Sequence, residues 1–80
     1  MAKASNIVHQ YFKKEFDDIT VLVRLNPIRL LVTEITLQPG HQPALREVEV
    51  DADILDDLKE DGFTEANPLE FNLYLAGLIG

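Results

Sequence analysis

Eighty residues and 9.0 kDa make one small domain spanning 1–80, because so short a chain does not hold two independent cores. Apolar residues at 46% and charged residues at 26% form an ordinary globular mix, which argues against disorder, and the absence of cysteine removes disulfides, thiolate metal sites and cysteine nucleophiles. The net charge of −7 disfavours a phosphate backbone or an anionic membrane as partner, since both select Lys and Arg.

That charge is unevenly placed. Residues 1–46 carry six basic and four acidic side chains, a net +2, whereas residues 47–80 set Lys59 against ten acids, a net −9. A protein partner with a basic surface therefore suits the second half, and nucleic acid does not. No apolar run approaches the roughly 20 residues of a membrane span. Met1 to Asn6 shows no apolar core of a secretory leader, so the expected setting is cytoplasmic.

The first segment, about 4–16, sets Ile7/Tyr11, Val8/Phe12 and Phe12/Phe16 at i, i+4, with Lys13 and Lys14 near its end. That spacing predicts a helix with Ser5 as N-cap, ended by Asp17-Asp18. From Ile19 the period changes to two: Ile19, Val21, Val23 and Leu25 alternate with Thr20, Leu22, Arg24 and Asn26, which predicts a strand. Asn26-Pro27-Ile28-Arg29 fits a type I turn, and a second strand follows over Leu30–Leu37. A hairpin closed at Asn26/Arg29 opposes Leu25 to Leu30, Val23 to Val32 and Val21 to Glu34. Ile35 and Leu37 then lie on the other face. Either both faces are covered or a bulge near Thr33-Glu34 resets the phase, and the bulge is favoured for so small a domain.

Gln38-Pro39-Gly40-His41 predicts a type II turn with glycine at the position of positive φ. Arg46–Val50 alternates as a third strand, with Glu47 and Glu49 outward and Val48 and Val50 inward. Beyond Asp51 the spacing is helical: Ile54, Leu55 and Leu58 share a face, Asp51 or Asp53 caps, and Gly62 ends the helix. Asn67-Pro68-Leu69-Glu70 is a helix start, and the following segment to Ile79 is read as helix, its alternation leaving a strand as the alternative. The expected fold is α+β, a three-stranded antiparallel meander covered on one face by N-terminal and C-terminal helices, in the order α-β-β-β-α-α.

Chemistry has little to stand on. His9 and His41 lie 32 positions apart and form no metal-ligand spacing, and Ser5 is the only serine. The acidic run from Asp51 to Gly62 fails as a calcium loop, because Asp56 stands where the sharp turn needs glycine and Gly62 where a bidentate glutamate belongs. Its carboxylates oppose the apolar stripe and are expected to be solvated. No cofactor and no catalytic residue is assigned.

The last segment is apolar at Leu69, Phe71, Leu73, Tyr74, Leu75, Ala76, Leu78 and Ile79. Such a helix is either wrapped on all sides or contributes to an interface. The expected function is a small non-catalytic interaction module, an accessory subunit or regulator. Tyr74, Leu78 and Ile79 form its apolar contact, the basis of a homodimer, and Asp53, Asp57 and Glu60 its acidic one. The alternatives are a ligand-binding or minimal enzymatic subunit with Arg24, Arg29 or His41 at an oligomer interface, and an acidic mimic of nucleic acid.

Overall fold

The computed structural model describes residues 8–79, with side chains through Gly77. Its elements are β1 (Gln10–Phe16), β2 (Ile19–Asn26), β3 (Leu31–Leu37), β4 (Ala44–Glu49), α1 (Ile54–Glu60), β5 (Thr64–Glu65) and α2 (Pro68–Ile79). The strands form one antiparallel sheet in the order β4-β3-β2-β1-β5.

The helix expected over 4–16 is overturned. Residues 10–16 form β1, and the part of that expectation before Val8 lies outside the described residues. Phe12/Phe16 spacing also satisfies a period of two, and pairing decides between the readings. A tight turn at Asp17-Asp18, with Asp17 at φ 52°, folds β1 directly onto β2 from Phe16↔Ile19 to Gln10↔Leu25. What read as a helix stop is a hairpin turn, whose positive φ suits the short polar side chain of Asp.

The sheet has five strands rather than three, and its faces are covered separately. Phe12, Val23, Leu25, Val32 and Leu58 form one core, joined by Val50, Ile54 and Phe63; this is the α1 face. Leu22, Ile35 and Phe71 form a second core on the reverse side, joined by Tyr11, Leu37 and Leu75; this is the α2 face. Strand alternation requires the separation, because neighbouring Leu22 and Val23 point to opposite sides. The expectation of two helices on one face is thereby corrected, and so is the bulge. β3 runs in unbroken register with β2, from Asn26↔Leu31 to Thr20↔Leu37, and its two apolar phases serve two cores.

The β2–β3 loop also differs from expectation. Asn26 Oδ1 accepts hydrogen bonds from the Ile28 and Arg29 backbone N–H groups at 3.0 and 3.1 Å. The loop is two residues longer than expected, closing at Asn26/Leu31 rather than Asn26/Arg29, with the Leu30 N–H donating to the Asn26 carbonyl at 2.9 Å and Leu30 at φ 55°. Pairing therefore shifts by two, to Leu25↔Val32, Val23↔Glu34 and Val21↔Thr36, which keeps Val21, Val23, Leu25 and Val32 on one face and leaves Ile35 and Leu37 on the other.

Three local expectations hold. Gly40 has φ 78° in the Gln38–His41 turn, closed by His41 N–H to the Gln38 carbonyl at 3.1 Å. Gly62 has φ 90° after α1, where Gly62 and Phe63 N–H groups donate to the Lys59 and Leu58 carbonyls, a Schellman closure with Phe63 packed onto the Leu58 core. Val48 and Val50 are half-buried on the α1 face while Glu47 and Glu49 are exposed. After α1 the chain crosses the sheet edge as β5, beside Phe12 and Lys13 of β1, and so delivers α2 to the opposite face.

Candidate functional site

α2 begins as its sequence dictates. The Leu69 N–H donates to Asn67 Oδ1 at 2.8 Å, and Pro68 fills the first helical position. Glu70, in the first turn, accepts from Lys13 Nζ at 3.3 Å, and this hydrogen bond raises the Lys13 pKa. The pair ties the start of the helix to β1.

Only one row of the helix reaches the sheet. Phe71 is fully buried, meeting the Tyr11 ring edge-on at 5.6 Å and the Arg24 guanidinium at 5.3 Å, and Leu75 one turn later is half-buried. The row of Leu69 and Leu73 points away, 68% and 74% exposed, with Tyr74 beside it at 40%. Together with Asn67 and Glu70 these three line a shallow open depression. Tyr74, one of the expected contacts, is therefore partly exposed beside that row. Leu78 and Ile79 belong to the same helix, but their side chains lie outside the described residues. Leu69 and Leu73 were not among the expected contacts. Helical spacing puts them in one row, but which row the sheet covers is a tertiary matter.

The acidic candidates are elsewhere. Asp53 occupies the N-cap position of α1 without a side-chain cap hydrogen bond, and Asp57 and Glu60 lie along its exposed side. Since α1 and α2 cover opposite faces of the sheet, the acidic and apolar groups do not form one surface.

The polar residues weighed for a ligand site do not converge within one chain. Arg29 lies in the β2–β3 loop and His41 in the β3–β4 loop, at opposite ends of a seven-residue strand, a separation of roughly 20 Å. The His41 ring Nδ1 lies 3.2 Å from the Pro39 carbonyl of its own turn. Burial, and secondarily the charge of Arg24, hold the His9 pKa below its ordinary value. Among the described residues no group of three or more His, Asp or Glu is placed to hold a metal ion, and no helix is long and apolar enough to cross a membrane. The chain matches no protein-family model, and no curated protein or solved structure is significantly similar to it.

Proposed function

We propose that this chain is a small non-catalytic interaction module that pairs with a second copy of itself through the outer face of α2. The supporting observation is the row of Leu69, Leu73 and Tyr74, left in water by a helix whose opposite row is buried. Identical partners fit this strip because it offers no charge to complement. Glu70 is the only charged residue between 68 and 79, and it is paired with Lys13, which it shares with Glu15. Net charge does not prevent association, since salt screens exposed charges within ~8 Å.

The energetics favour a weak, concentration-dependent dimer. Burying a leucine from full exposure gains roughly 1.5–3 kcal/mol. Four leucines and two tyrosines per dimer can outweigh the lower part of the ~4–15 kcal/mol cost of association. Sedimentation equilibrium over a concentration series tests the reading. Wild type should dimerise in the micromolar range with little dependence on salt, and Leu69→Asp with Leu73→Asp should remain monomeric. A wild-type monomer at high micromolar concentration overturns it.

A further inference from the structure

Among the described residues the sheet ends on β4, and no further strand pairs with that edge. β4 pairs with β3 on one side only, and five of its six residues are exposed. Register identifies the free backbone groups. The Val50 N–H donates to the Leu30 carbonyl at 2.9 Å. By antiparallel alternation Ala44, Arg46 and Val48 then turn their N–H and C=O groups toward β3, while Leu45, Glu47 and Glu49 turn theirs outward. Three residues present unpaired donor–acceptor sets, a ready template for one more strand.

Side chains determine which strand fits. On the α1 face the edge shows Ala44, Val48 and Arg46, the last held by Glu34 at 3.2 Å. On the α2 face it shows Leu45, 45% exposed, followed by Glu47 and Glu49, which form no ion pair among the described residues. A second copy is a poor occupant. Two β4 edges paired about a two-fold axis set Glu47 against Glu47, Arg46 against Arg46, or Glu47 against Glu49, according to register, and like charges directly opposite destabilise a pair. The register that sets Leu45 against Leu45 brings Pro43, which has no N–H to donate, opposite Glu47. The same two carboxylates favour a strand carrying cations at alternate positions.

We propose that the β4 edge accepts an extended basic peptide by strand addition, with Lys or Arg opposite Glu47 and Glu49 and an apolar side chain opposite Leu45. This surface is separate from the α2 strip, so either assignment stands if the other fails. The test titrates the full chain into a fluorescein-labelled heptapeptide, Ser-Lys-Val-Lys-Thr-Leu-Ser, and follows anisotropy at ~150 mM salt. A second peptide carries backbone N-methyl groups on both lysines and the leucine, which removes the ladder donors and leaves the charge unchanged. The unmodified peptide should bind and shift the Leu45, Glu47 and Glu49 amide resonances. N-methylation, and Glu47→Lys with Glu49→Lys in the protein, should each weaken binding by about tenfold or more. The exposed Glu47→Gln/Glu49→Gln pair, checked for an unchanged melt, guards against misfolding and should weaken binding in the same direction. Equal affinity for the N-methylated peptide, resonance shifts confined to the acids of α1, or no binding up to ~1 mM would each refute strand addition.

Discussion

Phe71→Ala should detach α2 from the sheet while leaving the other core intact. Phe71 is 2% exposed and the only fully buried side chain of its helix among the described residues. Truncating a buried phenylalanine costs about 3–5 kcal/mol, and this ring also loses its edge contact with Tyr11 and its stacking under Arg24. A domain of this size has roughly 4–12 kcal/mol in total. Leu75 alone cannot replace the loss, and a helix as short as α2 is marginal without packing. The substitution should therefore do more than leave a cavity. Far-UV circular dichroism should lose the α2 contribution, and the urea m-value should fall because less surface remains to be exposed on unfolding. Leu22 and Ile35, uncovered by the helix, should bind a hydrophobic dye. Leu73→Ala, on the exposed row of the same helix, is the matched control and should stay within about 0.5 kcal/mol in melts run below the dimerisation range. If urea melts rank the two substitutions equally, or Leu73→Ala above Phe71→Ala, the assignment of the covered row is wrong.

Four further outcomes follow. Gly62→Ala places its Cβ an acceptable 3.7 Å from Lys14 Cε but at φ 90°, so thermal melts should show a loss of about 1–2 kcal/mol from backbone strain alone. At Asp17, φ 52°, Asp17→Val should cost about 1–2 kcal/mol by the same assay, whereas Asp17→Asn should stay within about 0.5. The depressed His9 pKa means that the unfolded chain binds more protons between the folded and unfolded values, so stability should decline as pH falls from neutrality through ~6.5, and His9→Gln should remove that slope. Arg24→Gln should raise the His9 value only part of the way in an NMR titration, because burial is the larger cause; a fall on removing that charge would contradict the assignment.

The features read correctly from the sequence are those whose physics closes within a few residues. Gly40 and Gly62 take the positive φ that their turns require, and Asn67 with Pro68 starts a helix through one hydrogen bond two positions on. The alternation of Glu47, Val48, Glu49 and Val50 shows its inward side without reference to any neighbour. The mixed α+β character follows from these signals. The rest depends on partners distant in the chain. Residues 10–16 are compatible with either period, and their pairing with β2 and, more than 50 positions later, with Thr64 and Glu65 makes them a strand. β3 carries two apolar phases, which become consistent only once α1 and α2 occupy opposite faces; no bulge is needed. The same arrangement separates the acids of α1 from the apolar strip of α2 and decides that Phe71 is buried while Leu69 and Leu73 face water. Spacing can place residues in rows along a helix, but which row is covered depends on where the chain crosses the sheet, and that crossing is made at β5.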